Sequence, residues 1–273
     1  MVFEQFLESE KFKQHAFFIF FLGFVYVFIG FFIANYFFSS SVSVAMLFTC
    51  TLLLVPSVYV ILNLEEKIES KEGVRHFYKN HKDIFKVFLF LFIGIFFAYF
   101  ILGYYNDFSK TFDYQINFLN SRGDIISQTI DNFKNSEYSP SFDNFISLVS
   151  SNLTVMVIAF LLSVFYGAGA LFLITLNAST FAAFIYIVID KIGKLSALFI
   201  FLIHLIPELA GFTLAAIAGS VISRALVSEK LGSKGFKNVL KDSLVLLLIS
   251  FALISLAAFL ELFVSAKLVR VVI

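Results

Sequence analysis

LSALFIFLIHLIPELAGFTLAAIAGSVIS, residues 195–223, is long enough and apolar enough to cross a lipid bilayer as a helix. This run nevertheless carries His204, Pro207 and Glu208, three residues that hydrocarbon does not favour. A carboxyl group at mid-membrane depth costs about 2.5 to 3.5 kcal/mol on insertion scales, so Glu208 calls for a partner or a function.

The spacing of these residues places them together on one helix. His204 and Glu208 are four residues apart and therefore share a helix face. Pro207 has no N–H to donate to the carbonyl of Ile203, and its ring crowds that oxygen. The sequence thus predicts a kink beside His204 and a polar face at the same level.

The composition is that of a membrane protein with several spans. The chain is 60% hydrophobic with a mean hydropathy of +0.92, and only 14% of its residues are charged, against about a quarter in soluble domains. A net charge of +1 gives no reason to propose nucleic acid as a partner. The single cysteine, Cys50, excludes a disulfide within the chain and metal sites of the CxxC type.

Seven apolar runs predict an all-α fold with about seven transmembrane helices. The predicted spans are 15–37, 42–62, 87–105, 148–165, 170–189, 195–223 and 243–266. Between the fourth and fifth runs, the segment 166–169 contains Gly167 and Gly169 and can be a turn or a break within one helix. We favour the turn, because the combined length is near twice the about 20 residues that one crossing needs.

The connecting segments predict three regions and an orientation. Residues 1–62 form an interfacial helix and a transmembrane hairpin, 63–86 a charged and solvated cytoplasmic connector, and 87–273 the membrane core. The core includes an acidic external segment, 106–147, with two short amphipathic helices on the membrane face, the second beginning near Asp124. Positive charge in the segments 64–86 and 224–241 places the N-terminus in the cytoplasm of a multi-pass cell-membrane protein.

Other polar and small residues within the spans are candidates for contact with the central helix. Asn177 is the residue we pair with Glu208 or His204, and Asn152 opens the fourth span. Gly211, Ala215 and Gly219 follow at spacings of four and form a ridge that lets another helix approach closely. We favour packing within one subunit for this ridge, with a homodimer seam as the alternative.

Three accounts of His204 and Glu208 compete. The favoured account is a hydrogen-bonded pair that locks the helix, and the second is a binding or translocation site that uses protonation of either group. The third, a metal or hydrolytic centre, lacks a third ligand and any nucleophile–base set, so we expect no metal, cofactor or catalytic residue. His15, His76 and His81 are read as solvated residues.

Several of these residues resemble a known family. The runs FYGAGALFLITLN and HLIPELAGFTLAAIAG are similar to the stage II sporulation protein M family, with the resemblance strongest over 152–223 and similar in outline from 87. The hairpin before it lies outside the resemblance. Leu205 and Ala178 stand where the family prefers glycine. The positions that match the family pattern are Asn152, Gly167, Gly169, Asn177, His204, Glu208, Gly211 and Gly219.

The resemblance implies a membrane anchor rather than an enzyme. The sporulation member of the family works with cell-wall hydrolases, and relatives in organisms that do not sporulate imply a more general role. The leading expectation is therefore a non-enzymatic scaffold or membrane-remodelling component that forms a homodimer and contacts the lipid bilayer and other membrane or envelope proteins. The alternative is a transporter or lipid-handling protein that uses the intramembrane His204 and Glu208.

The orientation leads to a labelling prediction. In a Cys50→Ser background, cysteines placed at Ser136 and at Lys234 are expected to react with a membrane-impermeant maleimide from opposite sides of the membrane, because the segments that hold them differ in charge. Intact and inverted vesicles provide the two sides. Reaction of both cysteines from one side contradicts the topology.

Overall fold

The computed structural model describes residues 16–75, 77–121, 141–166, 169–192, 196–265 and 267–268. Some predicted features lie outside these residues: the interfacial helix before residue 14, the helix near Asp124, and the individual residues His15, His76 and Gly167. The described chain contains eight α-helices and a final π-helical turn. The helices are α1 Ala16–Phe37, α2 Val42–Glu72, α3 Phe77–Tyr105, α4 Phe108–Ser121, α5 Phe142–Tyr166, α6 Gly169–Ile192, α7 Ser196–Ser228 and α8 Lys234–Leu260, and the turn is Glu261–Ser265.

All of these helices except α4 are long and apolar enough to cross a membrane, which confirms the predicted all-α polytopic fold. The described part of each predicted span lies within one of these helices, except that the last span continues from α8 into the π-helical turn. The fourth and fifth runs form separate helices, α5 and α6, that pack against each other. Two separate helices in contact agree with two crossings rather than one broken helix.

Helices α1 and α3 cross at very short range because each presents a glycine to the backbone of the other. A methyl group added at Gly23 would lie 2.9 Å from the carbonyl oxygen of Leu91. A methyl group added at Gly94 would overlap the carbonyl oxygen of Phe20. Since dispersion attraction depends on close packing, this reciprocal contact holds α1 against the rest of the bundle.

The second helix lies at the centre of the bundle. Besides its hairpin partner α1, helix α2 contacts α3, α6, α7 and α8. Met46, Cys50 and Leu54 form a fully buried stripe along it. The hairpin α1–α2 therefore shares its core with the later helices and is not a separately packed unit.

Helices α7 and α8 form the most extensive pair, joined through small residues and serines. Ser250 Oγ donates a hydrogen bond to the carbonyl of Gly211 at 2.7 Å, and Ser243 Oγ donates to that of Ala218 at 3.3 Å. On the same helix, Gly219 packs against the backbone of α5 near Phe160. The small-residue ridge thus contacts helices of its own chain, which is the alternative that the sequence favoured.

Helix α4 confirms the first of the two predicted amphipathic helices, but its inner face is buried against protein rather than lipid. Phe112 and Gln115 are fully buried where α4 contacts α2, α3 and α6. Ser43 Oγ donates to Gln115 Oε1 at 2.7 Å, and Gln115 Nε2 donates to Ser179 Oγ at 3.0 Å. A glutamine on α4 therefore ties together the start of α2 and the middle of α6.

The charged segment 64–86 is helical and breaks at Gly73, as the sequence predicts, and most of the basic segment 224–241 is helical too. Helix α2 continues through the charged segment to Glu72, and α7 and α8 reduce the predicted basic loop to residues 229–233. Arg224 lies on α7 with its guanidinium 4.1 Å from the centre of the Tyr59 ring on α2. The prediction of a solvated connector at 64–86 is wrong for the inner face of α2, where Glu65, Glu66 and Glu69 are buried.

The α1–α3 crossing leads to a stability prediction. Gly94→Ala is expected to destabilise the protein by about 1 to 3 kcal/mol, because the added methyl group meets rigid backbone and forces the helices apart. Thermal unfolding in detergent measures the change. Gly30→Ala is the matched control, since its methyl group meets the nearest atom at an ordinary 3.4 Å; equal melting temperatures for the two variants would refute the close crossing.

Candidate functional site

His204 links α7 to the π-helical turn that follows α8. Its Nδ1 lies 3.0 Å from Ser265 Oγ, and Ser265 Oγ donates to the backbone carbonyl of Ile200 at 3.1 Å. Because the Ser265 hydroxyl donates its proton to the Ile200 carbonyl, the imidazole Nδ1–H of His204 is the donor to the serine oxygen. His204 and Ser265 are both buried, so this chain of two hydrogen bonds closes one end of the α7–α8 pair.

The local backbone explains how Ser265 reaches this position. The residues from Glu261 to Ser265 form a π-helical turn, which is wider than an α-helical turn and shifts the side chains that follow it. Helix α7 is continuous from Ser196 to Ser228 with Pro207 inside it. The kink predicted at Pro207 therefore does not interrupt the helix, and His204 lies midway between the start and the middle of α7.

Glu208 lies one turn further along α7, where it is half-buried. It is close enough to Glu261, on the π-helical turn, for the two carboxyl groups to interact electrostatically. Asn152 is buried on α5 and Asn177 is half-buried on α6. His204 is bonded to Ser265 rather than to Asn177, and a pairing of Asn177 with Glu208 stays a prediction.

A second polar cluster, which the sequence reasoning missed, lies where α2 ends and α3 begins. We call Glu65, Glu69, His81 and Asp242 the acidic cluster. His81 Nδ1 lies 2.8 Å from Glu65 Oε1 and 3.6 Å from Glu69 Oε1, while His81 Nε2 lies 2.7 Å from Asp242 Oδ2. Three carboxyl groups from two helices thus surround one imidazole on a third.

Burial of the acidic cluster is nearly complete. His81 is 5% exposed, so its interpretation as a solvated residue is wrong, and the three carboxylate side chains are at most 1% exposed. The Phe77 ring packs against the imidazole with 4.5 Å between ring centres. Glu66, next to the cluster, instead accepts a hydrogen bond from Ser228 Oγ at 2.8 Å.

The sequence does contain a signal for the buried face. Glu65 and Glu69 continue the helical spacing of Leu54, Val58 and Ile61, which all face the core. We missed this buried helical face because the segment is rich in charged residues. The exposed lysines beside the glutamates, such as Lys67 and Lys71, suggested a helix solvated on all sides. The sequence could not show that Asp242 meets His81, since 161 residues separate the two.

These observations define the class of the molecule as an all-α, multi-pass membrane protein whose buried polar groups join distant helices. Residues 87–266 match the family described as Stage II sporulation protein M, and the chain belongs to that family. The match begins at Val87, so the hairpin α1–α2 lies outside it, together with His81. No curated protein and no solved structure matched the chain.

The link between His204 and Ser265 is testable by a double-mutant cycle. His204→Ala, Ser265→Ala and the double variant are expected to show a coupling free energy of about 0.6 to 1.7 kcal/mol, the range found for hydrogen bonds between membrane helices. Reversible unfolding in mixed micelles gives the four stabilities. Strictly additive losses would show that the two side chains do not stabilise each other.

Proposed function

We propose that this protein is a non-enzymatic membrane scaffold that assembles partner proteins or remodels the membrane. The observation that carries the proposal is the bond between His204 and Ser265, which uses the histidine of the family-like motif to fasten two helices of the same chain. Ser250 and Ser243 join the same pair of helices through backbone carbonyls. Polar groups committed to holding helices together favour a rigid framework over a reactive centre.

The proposal includes an orientation and partners. The N-terminus lies in the cytoplasm, since the positively charged segments then face that side. The partners are the lipid bilayer and other membrane or envelope proteins. A homodimer remains part of the proposal, and it would use a face other than the ridge of Gly211, Ala215 and Gly219, which packs within the chain.

A second candidate function, transport or lipid handling, is favoured by one observation. Glu208 and Glu261 place two interacting carboxyl groups within the membrane-spanning helices α7 and α8 and their π-helical extension. Paired acidic groups at such positions are used for proton and ion movement in transporters. The same two residues therefore provide the test that separates the candidates.

The scaffold proposal predicts no transport through Glu208. Proteoliposomes containing the protein and an internal pH-sensitive dye are expected to collapse an imposed proton or potassium gradient no faster than protein-free vesicles. Glu208→Gln should leave that rate unchanged. The folding yield in detergent should fall more for Glu208→Ala than for Glu208→Gln, because the amide keeps hydrogen-bonding capacity.

The outcomes distinguish the two functions. If the wild-type protein accelerates collapse of the gradient and Glu208→Gln or Glu261→Gln abolishes that acceleration, the protein is a transporter and the scaffold proposal is wrong. Ser150→Ala, at an exposed position on α5, serves as the control for reconstitution efficiency. A change of vesicle diameter or vesicle clustering with protein density, seen by electron cryomicroscopy, would support the remodelling form of the scaffold.

A further inference from the structure

The acidic cluster contains more negative groups than its partners satisfy. Among the residues that the structure describes, neither carboxylate oxygen of Glu69 has a hydrogen-bond partner, although the side chain is fully buried, and Asp242 Oδ1 is also buried without one. Glu69 faces His81 together with the carboxyl groups of Glu65, Glu66 and Asp242. Several buried carboxyl groups around one imidazole are costly unless a further positive charge or protons join them.

The positions of the donor atoms suit a cation. One carboxylate oxygen each from Glu65 and Glu69 and one ring nitrogen of His81 lie within 4.8 Å of one another. Ligand atoms held about 2.1 Å from an ion are about 3.0 Å apart in octahedral and about 3.4 Å apart in tetrahedral geometry. The separations of 2.8 and 3.6 Å from His81 Nδ1 to the two glutamates span these values.

We propose that Glu65, Glu69 and His81 Nδ1 bind a divalent first-row transition-metal cation. Two carboxylates and an imidazole form a mixed oxygen and nitrogen donor set, which suits Mn²⁺, Fe²⁺ or Zn²⁺ better than Ca²⁺. The cation occupies the space that the Nδ1 proton takes when His81 donates to Glu65. Binding therefore releases that proton and supplies the positive charge that the unpartnered oxygens of Glu69 require.

Asp242 has a different role, as a positioning residue. Its Oδ2 lies 2.7 Å from His81 Nε2, on the side of the ring away from the glutamates. A metal-bound histidine usually donates its other N–H to a carboxylate, which fixes the tautomer and the ring orientation. Asp242 thus directs Nδ1 toward Glu65 and Glu69.

The site joins parts of the chain that the family match separates. Glu65 and Glu69 belong to α2 and His81 to the first turns of α3, all before Val87, whereas Asp242 lies on α8 within the matched region. A cation here clamps the N-terminal hairpin to the family core. The exposed Lys67 and Lys82 on the same two helices place the cluster close to an aqueous end of the bundle. This inference does not depend on the proposed scaffold function.

Manganese titration of the full chain provides the test. Protein carrying a tag without histidine is purified in detergent, treated with chelator and titrated with MnCl₂, with free Mn²⁺ followed by electron paramagnetic resonance. About one Mn²⁺ per chain is expected to bind, to show pulsed-resonance modulation from an imidazole nitrogen, and to raise the melting temperature. Zn²⁺ is expected to compete for the same site.

Three variants assign the donor atoms. Glu69→Gln, which keeps the side-chain volume, should abolish the bound Mn²⁺ signal and its stabilising effect. Asp242→Asn should weaken binding about 10- to 100-fold, the loss typical of a residue that orients a metal-bound histidine. Asp83→Asn is the matched control, because Asp83 is a half-buried carboxylate on α3 outside the acidic cluster, and the Mn²⁺ affinity of this variant should stay within about threefold of the wild type.

Several results would overturn the site. These are the absence of Mn²⁺ and Zn²⁺ binding to the wild-type protein, bound Mn²⁺ without nitrogen modulation, or equal binding to Glu69→Gln. A higher melting temperature for Glu69→Gln combined with no response of the wild type to metal would show that the cluster holds protons instead. The nitrogen modulation of the wild-type protein decides the question even where a variant fails to fold.

Discussion

Hydrocarbon offers no hydrogen-bonding partner, so a polar group carried into the bundle is costly unless it finds a partner on its own helix or on a neighbouring one. This constraint accounts for the serine bonds between α7 and α8, in which Ser250 and Ser243 donate to the carbonyls of Gly211 and Ala218. The bonds require close backbones, and glycine or alanine at the acceptor permits that approach. Packing and polar satisfaction therefore depend on the same small residues.

The two ends of the bundle satisfy this constraint differently. At one end, Gln115 reaches from α4 to Ser43 and Ser179 and completes a neutral network of hydrogen bonds. At the other end, the acidic cluster concentrates ionisable groups around His81, and both oxygens of Glu69 lack a hydrogen-bond partner within the described part of the chain. A neutral network that is complete rigidifies the fold, whereas an incomplete charged one is the place where a ligand would alter stability.

Much of the candidate site on α7 could be read from the sequence, because a helix fixes which residues share a face. The burial of His204, its association with another helix and the internal packing of Gly211 all follow from spacing and hydropathy. The hydrogen-bond partner of His204 could not be predicted in this way, because Ser265 lies 61 residues away on a π-helical turn that no sequence pattern indicated. The buried glutamates of α2 were missed because charge dominated the interpretation of a segment whose helical phase was unchanged.

By itself, the sequence determined the fold class, the seven spans and the family resemblance, because hydropathy over about 20 residues and short-range spacing are properties of contiguous chain. Only the tertiary structure decided which helix ends meet. That decision depends on side-chain packing between segments far apart in the chain, such as Gly94 against Phe20 and His81 against Asp242. Local periodicity carries no information about such partners, and so the acidic cluster became visible only when α2, α3 and α8 were placed together.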